Sequence, residues 1–462
     1  MLFNSQIFIM GFLPVLLVMF YLAAGHRSWR QALMVVASLG FYGAWNWRFV
    51  PLLAGLTLAN WLLVQGFGRR RAPVWLYCGI GLNLVVLGLF KYANFLATDL
   101  DALIGRTHSH WPIVLPLGIS FFVFQKLSYL IDLKRRPQPI YGLLDFFEFV
   151  TFFPQLIAGP LVRHNEIIPQ FDRNPRGPDM WENLSRGAIL FIIGLVKKAA
   201  LADSLAQVAD PLFQKALLTP LGLQEAWAAA GCYTLQIYFD FSGYSDMAIG
   251  LALMFGLRLP FNFDAPYRSA SIREFWRRWH ITLSRFLRDY LYIPLGGNRW
   301  GALAQARNVV VTMLLGGLWH GAAWTFVCWG GLHGAALAVN GAWDRLGTRV
   351  PRLRMPGLLG WAVTMLFVTA SWVLFRAPDF TSAASMLGSM AGLHGGSSFH
   401  LRNAIIVGIA AVVAVAGPAS QTVALEQLRP SPWLAVPAGL ALVFMLLLLG
   451  GGIPSEFIYF QF

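Results

Sequence analysis

Residues 6–25 read QIFIMGFLPVLLVMFYLAAG and contain no charged side chain. An α-helix needs about 20 such residues to cross the hydrocarbon core of a membrane. Further apolar stretches recur along the chain, at 32–46, 50–66, 74–91, 113–131, 143–160, 186–204, 226–255, 308–323, 326–342, 357–375, 403–417 and 432–449. Some of them are short, and none has the alternating pattern of a β-barrel strand. The pattern predicts an all-α polytopic membrane protein with about 11–13 membrane helices, re-entrant segments included.

The composition of the chain excludes two other classes of protein. Of its 462 residues, 57% are hydrophobic and only 12% are charged, whereas a soluble domain has about 25% charged residues. An ordinary soluble enzyme and a disordered chain are therefore excluded. Lys and Arg exceed Asp and Glu by 35 to 21, which in a membrane protein indicates basic cytoplasmic loops. We expect the lipid bilayer, and not nucleic acid, to be the partner of this charge.

The basic residues also predict an orientation. Met1–Ser5 carries no charged side chain, and the first arginines follow the first apolar stretch. By the positive-inside rule the N-terminus then lies outside the cytoplasm. Residues 69–71 and 134–136 are basic and are expected in the cytoplasm, while the loop 92–112, which contains His108, is expected on the outer side.

The stretch 143–160 departs from this alternation. Basic residues flank it on both sides, and it contains Pro154, Gly159 and Pro160. A broken helix at membrane depth is tolerated only where protein or a water-filled cavity surrounds it. This stretch is therefore predicted to be re-entrant and to line a cavity.

The segment 256–307 holds nine arginines and no lysine. The planar guanidinium binds phosphate and carboxylate groups in a bidentate manner, so Arg277 and Arg278 are candidate ligands for an anionic substrate. The alternative is a general preference for arginine, because the whole chain is rich in it. The sequence leaves both interpretations open.

Polar residues interrupt the long apolar stretch 226–255. Asp240, Ser242 and Asp246 fall within it, and ionisable groups in a membrane segment are candidates for function. The two aspartates are six residues apart, which places them on different faces of an unbroken helix. We expect Gly243 to allow a break in that helix. The alternative is a polar helix interface that pairs with arginines of 268–288.

A second cluster, Arg273–His280, reads REFWRRWH. Its arginines and aromatic residues are typical of a helix that lies at the cytoplasmic membrane surface. His280 is either a catalytic group or a histidine that is hydrogen-bonded within the fold.

A third cluster, Gly316–Trp324, reads GGLWHGAAW. If its helix begins near Asn308, His320 lies roughly 18 Å along it, near the middle of the membrane. A neutral imidazole there still exchanges a proton, although a buried structural histidine would also fit the glycine-rich surroundings. We expect no metal site with His333, because the spacing of the two histidines is not that of HExxH.

These clusters resemble the membrane-bound O-acyltransferase (MBOAT) superfamily. The resemblance rests on DFSGYSD (240–246), EFWRRWH (274–280) and GLWHG (317–321), and on KYANF (91–95) and FPQLIAGP (153–160). It extends over about 1–380 and is closest to the bacterial polysaccharide branch, which acts in alginate O-acetylation. The C-terminal helical segment 381–462 carries none of the motifs.

The resemblance implies one integral membrane acyltransferase domain over 1–462, with helices around a central tunnel. It implies acetyl-CoA as a cytoplasmic donor, with no bound cofactor. His320 matches the catalytic histidine of the family and His280 a second histidine. Trp319, Asp240, Ser242 and Asp246, with Arg277 and Arg278, are then candidates for binding or orienting the donor.

The branch also implies a partner. A periplasmic or membrane-tethered acetyltransferase of the SGNH type would complete transfer to an exopolysaccharide, alongside the synthesis and secretion complex, at the bacterial inner membrane. The absence of a GxSxG elbow from this chain agrees with that division. Alginate, cellulose and peptidoglycan are all possible polymers. A transporter of the donor and a scaffold, both without chemistry, are the alternatives from other classes.

Overall fold

The computed structural model describes residues 1–106, 110–353, 355–396, 401–450 and 457–458. These residues are largely helical, and they contain no β-strand. The α-helices are α1 (Leu13–Leu22), α2 (Arg27–Asn46), α3 (Val50–Arg70), α4 (Val74–Leu87), α5 (Ala93–Leu103), α6 (Ile119–Arg135), α7 (Leu143–Thr151), α8 (Phe153–Leu156), α9 (His164–Ile167), α10 (Met180–Val196), α11 (Asp203–Ala216), α12 (Leu223–Met254), α13 (Ile272–Arg278), α14 (Ile281–Leu287), α15 (Gly301–His320), α16 (Trp324–Arg349), α17 (Gly357–Arg376), α18 (Phe380–Met390), α19 (Leu401–Ala416) and α20 (Pro432–Gly450). His108 and most of 451–462 lie outside the described residues.

Six segments of the described chain are long and apolar enough to cross a membrane. They are Phe8–Gly25, Arg27–Arg70, Val74–Leu103, Gly301–His320, Gly357–Arg376 and Pro432–Gly450. The second of them contains both α2 and α3. The prediction of an all-α polytopic membrane protein is confirmed. The number of about 11–13 membrane helices and the central tunnel stay predictions.

Two predicted helix boundaries are wrong. The loop 92–112 is helical in its first part, because the π-helical turn Gly88–Tyr92 joins α4 to α5. Helix α15 begins at Gly301 and not near Asn308, so His320 is its last residue. At 1.5 Å per residue, His320 is then roughly 28 Å from the start of the helix. The reason is that Gly301–Arg307, although polar in part, contains good helix formers.

The predicted break at Gly243 is also wrong. Helix α12 runs as one α-helix of 32 residues, and Gly243 lies inside it. A single glycine costs a helix only about 1 kcal/mol, which a buried helix tolerates. Asp240 and Asp246 therefore lie on different faces of α12, as their spacing dictates.

By contrast, the stretch 143–160 is broken as predicted. Helix α7 ends at Thr151, and Phe152 adopts φ −47° and ψ 107° before the single turn of α8. Pro154 lies in the first turn of α8, where it has no need of an amide hydrogen. The helix break is confirmed, and its place in a membrane stays a prediction.

The chain folds into two compact units. The first comprises Met1–Leu195, Tyr244–Pro260 and the described part of Ala424–Gln461. Its core is aromatic: the ring of Phe3 stacks on those of Phe41, at 5.4 Å, and Tyr244, at 4.9 Å. Asp246 belongs to this first unit.

The second unit comprises Val196–Gly243 and Phe261–Val423. Helices α15 and α16 form a hairpin in it, and two glycines bring their backbones together. A Cβ atom on Gly317 would clash with the carbonyl oxygen of Phe326, and one on Gly330 would clash with that of Met313. Only glycine permits this approach. It holds the C-terminal end of α15 against the N-terminal end of α16.

Candidate active site

His320 lies at the C-terminal end of α15, inside the second unit. It is 3% exposed. Its ring contacts those of Trp319, Trp329 and Phe375, with centroids 4.9, 5.3 and 5.2 Å away. The turn from Gly321 to Ala323 then leads directly into α16. The histidine is thus enclosed by aromatic rings at the junction of two helices.

His280 lies in a turn between two short helices, α13 and α14. Its φ of +42° is in the left-handed region, which costs free energy for a residue other than glycine. Backbone hydrogen bonds hold the turn, because the N–H of Ile281 donates to Asn262 and that of Asp264 donates to Arg278. The strained turn is therefore fixed by the neighbouring segment.

The same segment fixes the protonation of His280. Nδ1 lies 2.9 Å from Oδ1 of Asn262, which also accepts a hydrogen bond from the Thr282 hydroxyl at 3.0 Å. An amide oxygen only accepts, so Nδ1 carries the proton and Nε2 is the basic nitrogen. Burial lowers the pKa of His280 to about 3. The ring is therefore neutral at physiological pH.

The structure brings the two predicted catalytic histidines together. The ring centroids of His280 and His320 are 6.5 Å apart, and Trp319 lies 6.2 Å from His280. The edge of the Phe241 ring packs on His280 at 4.7 Å. Trp319, also predicted as a site residue, is buried beside both histidines.

His333 has a different role. Its Nδ1 accepts a hydrogen bond from the indole N–H of Trp276 at 3.1 Å. The Ser371 hydroxyl donates to the carbonyl of Val368 at 2.8 Å, so Nε2 of His333 donates to Ser371 at 3.0 Å. Both ring nitrogens are thereby used, which leaves none for a metal ion. His333 joins α13, α16 and α17 as a structural group.

Asp240 is engaged in a buried ion pair. Nζ of Lys198 lies 2.7 Å from Oδ1 of Asp240 and 2.8 Å from Oδ1 of Asp203. Lys198 belongs to the π-helical turn Lys197–Ala202. The contact explains how a carboxylate is tolerated in this apolar stretch. Asp240 is therefore paired with a lysine, and pairing of this cluster with arginines of 268–288 stays a prediction.

Ser242 and the two arginines also have defined places. Ser242 is buried in α12. Arg278 is held by Glu274, at 3.0 Å, and by Asp264, at 3.2 Å. Arg277 is exposed, and no ion pair of it occurs within the described ranges. A role in donor binding stays a prediction for all three.

The aromatic side chains of the REFWRRWH motif face the interior of the protein. Phe275, Trp276 and Trp279 are buried within the protein, where the ring of Trp279 packs on Trp372 at 5.1 Å. That the helix lies at the cytoplasmic membrane surface stays a prediction, and its aromatic residues pack inside the second unit.

Three polar residues of the site were not predicted from the sequence. Asn262 and Thr282 orient His280, and no pattern in the sequence distinguishes them from other polar loop residues. Lys198 could have been predicted, because it lies in the apolar stretch 186–204. A charged group in such a stretch is a candidate for a functional site.

The helical membrane fold and the buried histidine pair define the class of this protein, and comparison with known proteins agrees. The model of the MBOAT, membrane-bound O-acyltransferase family matches residues 75–378, more than half of the chain. The chain therefore belongs to the membrane-bound O-acyltransferase family. It is an O-acyltransferase and a multi-pass membrane protein.

Relatives of several activities resemble the chain. A peptidoglycan O-acetyltransferase of Helicobacter pylori is 42% identical over 435 residues, covering 87% of this chain and 82% of the relative. A probable alginate O-acetylase, AlgI, of Pseudomonas putida is 46% identical over 404 residues, covering 84% and 80%. A teichoic acid D-alanyltransferase of Streptococcus thermophilus is 29% identical over 250 residues, covering 50% and 57%.

Proposed function

We propose that this protein takes acetyl groups from cytoplasmic acetyl-CoA and passes them across the bacterial inner membrane for O-acetylation of an exopolysaccharide. The observation that carries the proposal is the buried pair of His280 and His320 in a chain of the acyltransferase family. Their ring centroids are 6.5 Å apart. The alginate O-acetylase relatives, at 44–46% identity, support a polymer of the alginate type, and a polymer of the cellulose type is proposed from the resemblance alone. A transporter or scaffold without chemistry does not fit the family.

In this mechanism His320 is the general base. The accepting hydroxyl gives its proton to the imidazole, and its oxygen forms a bond to the carbonyl carbon of the thioester. The carbon–sulfur bond then breaks, and the proton passes to the departing thiolate. Burial of His320 among Trp319, Trp329 and Phe375 supports this role, because it keeps water from the thioester.

His280 would assist from its place beside Trp319 and His320. Asn262 holds its proton on Nδ1 and so leaves Nε2 basic. That nitrogen can accept a hydrogen bond from an N–H or O–H group of the substrates other than the reacting hydroxyl, and so help to orient them. Arg277, which is exposed beside this turn, would contact the phosphates of CoA.

The partner in this proposal is a periplasmic or membrane-tethered acetyltransferase of the SGNH type. It would receive the acetyl group and deliver it to the polymer in the synthesis and secretion complex. The basic cytoplasmic loops support an N-terminus on the periplasmic side. Donor entry and acetyl exit would then lie on opposite faces of the membrane.

Peptidoglycan is the second candidate polymer. A peptidoglycan O-acetyltransferase matches this chain at 42% identity over most of both proteins, so the polymer differs among relatives of similar identity. The histidine pair serves either polymer equally. Acetyl content measured separately on the secreted polysaccharide and on purified peptidoglycan decides between them.

The test uses His320→Ala in the native host, with the polymer pathway intact. We expect no polymer acetylation and no CoA release, at an unchanged level of the protein in the membrane. Trp227→Phe is a suitable control, because the indole of Trp227 donates to the carbonyl of Met390, at 2.9 Å, away from the histidines. Normal acetylation with His320→Ala would overturn the proposal.

A further inference from the structure

The N-terminal end of α16 lies directly after His320. The helix is 26 residues long, and only Gly321–Ala323 separate it from α15. Its N-cap residue is Ala323, whose methyl group cannot accept a hydrogen bond from the first turn. A helix N-terminus carries a partial positive charge and favours a negative ligand. His320 thus lies beside the electrostatically positive end of α16. The N-cap side chain of this helix accepts no hydrogen bond from its first turn.

Two buried donors lie on the first two turns of this helix. Thr325 is 3% exposed and Trp329 is 1% exposed. Neither the hydroxyl of Thr325 nor the indole N–H of Trp329 has a hydrogen-bond partner among the residues that the structure describes. They are four residues apart, so they share one face of α16.

An unpaired buried donor is unusual. Each one costs free energy, and such groups in a native fold call for an explanation by a ligand or by catalysis. Because Thr325 is buried, its hydroxyl cannot turn to solvent for a hydrogen bond. Two such donors on one helix face indicate an acceptor that binds during function.

The location of the donors relates them to His320. The ring of Trp329 stands perpendicular to that of His320, at 89°, with centroids 5.3 Å apart. The contact of Gly317 with Gly330 fixes the two helices at this distance, because a Cβ on either residue would strike the other helix. Trp329 is therefore held rigidly next to the proposed base, and Thr325 lies one turn before it on the same face of α16.

We propose that Thr325, Trp329 and the N-terminal end of α16 form an oxyanion site for the acyl donor. The site rests on the proposed acyl transfer. When the acceptor oxygen bonds to the carbonyl carbon, the electron pair of the C=O bond moves to its oxygen. The oxyanion accepts hydrogen bonds from the Thr325 hydroxyl and the Trp329 N–H, and the pair returns as the carbon–sulfur bond breaks.

The pairing with His320 gives the two groups complementary tasks. His320 removes the proton from the nucleophile, while α16 stabilises the charge that develops on the electrophile. Donors that are preorganised in a buried site stabilise such charge strongly, because they need no reorganisation during the reaction. The ligand class is a carboxylic thioester or ester with a small acyl group.

The test uses Thr325→Val, which removes the donor and keeps the shape, and Trp329→Phe, which removes the donor and leaves a smaller ring. We expect kcat for acetyl-CoA to fall about 10²–10³-fold in each variant, as for the loss of one oxyanion donor. Binding of S-ethyl-CoA, a thioether that lacks the carbonyl oxygen, should be unchanged. Thr325→Val should be no less stable than the wild type, since it removes an unpaired buried hydroxyl.

Two controls separate this inference from the proposed function. Trp227→Phe should keep its activity, because it removes an indole N–H that is bonded to Met390 and not to α16. If His320→Ala is inactive but Thr325→Val and Trp329→Phe have the wild-type kcat, the oxyanion site is refuted and the acyl transfer stands. An active His320→Ala refutes the acyl transfer itself.

Discussion

Nζ of Lys198 lies 2.7 Å from Oδ1 of Asp240, and both side chains are 2% exposed. A second carboxylate, that of Asp203, lies 2.8 Å from the same ammonium group. One buried cation thus compensates two anions. Asp240 of α12 is thereby tied to the turn that joins α10 and α11. The pattern of apolar residues in the sequence does not predict this contact.

Removal of this cation should destabilise the protein more than removal of one anion. In Lys198→Met both carboxylates lose their partner, and breaking a buried pair in this way costs about 3–5 kcal/mol. In Asp240→Asn the lysine keeps Asp203, so we expect a smaller loss. Melting temperatures of the two purified variants in detergent test this comparison. A melting temperature of Lys198→Met equal to or above that of Asp240→Asn would contradict the prediction.

The hydrogen bond from His280 to Asn262 should govern activity through the orientation of the ring. Asn262→Ala frees Nδ1, and we expect kcat to fall about 10-fold or more, since general acid–base catalysis depends on a positioned nitrogen. Asn262→Asp keeps an acceptor but adds a negative charge, which raises the pKa of His280 from about 3.

The pH profile distinguishes the two variants of Asn262. For Asn262→Asp the acid limb of activity should move to higher pH, because the protonated form of His280 becomes more favourable. Thr282→Val is the matched control, since it removes only the hydroxyl that donates to Asn262, at 3.0 Å, and leaves the histidine contact intact. An unchanged acid limb in Asn262→Asp would show that His280 does not titrate in the active state.

His280 should also make the fold sensitive to acid. Its pKa is about 3 in the folded protein against 6.5 as its ordinary value, so the unfolded chain binds more protons between these two values. Stability therefore rises with pH across this window and is lost as the pH falls from about 6.5 towards 3. Melting temperature measured from pH 7 to pH 4 should fall less steeply in His280→Gln than in the wild type. Trp227→Phe, which removes no titratable group, should leave the slope unchanged.

The fold class followed from the sequence because membrane helices leave a strong signal. The residues of a stretch such as 6–25 are by themselves almost sufficient to predict a membrane helix. The structure has a helical segment there, Phe8–Gly25. The break in 143–160 was equally local, since Pro154 and its neighbours determine it. Helix ends depended on packing instead: α15 begins at Gly301 in a polar region without an apolar signal.

The candidate site was predictable only in part, for a related reason. The histidines His280 and His320 stand out as polar groups among aromatic residues, and the fold places them together. The orientation of His280 depends on Asn262, which lies 18 residues before it in the chain, and no periodicity of the sequence indicates that contact. The pairing of Asp240 with Lys198 was not predicted for the same reason, because Lys198 comes close to it only through the fold.

The close approach of α15 and α16 at their glycines should be essential to the site. In Gly317→Ala the new Cβ would clash with the backbone oxygen of Phe326, which cannot move without displacing the helix. Because His320 is three residues further along α15, we expect both a lower melting temperature and a loss of acyl transfer. Gly231→Ala is the matched control: it too lies in a helix of the second unit, nothing in the described chain is within 4 Å of the added methyl group, and alanine should stabilise that helix by about 0.5–1 kcal/mol. Full activity in Gly317→Ala would mean that the close approach of the two helices is dispensable.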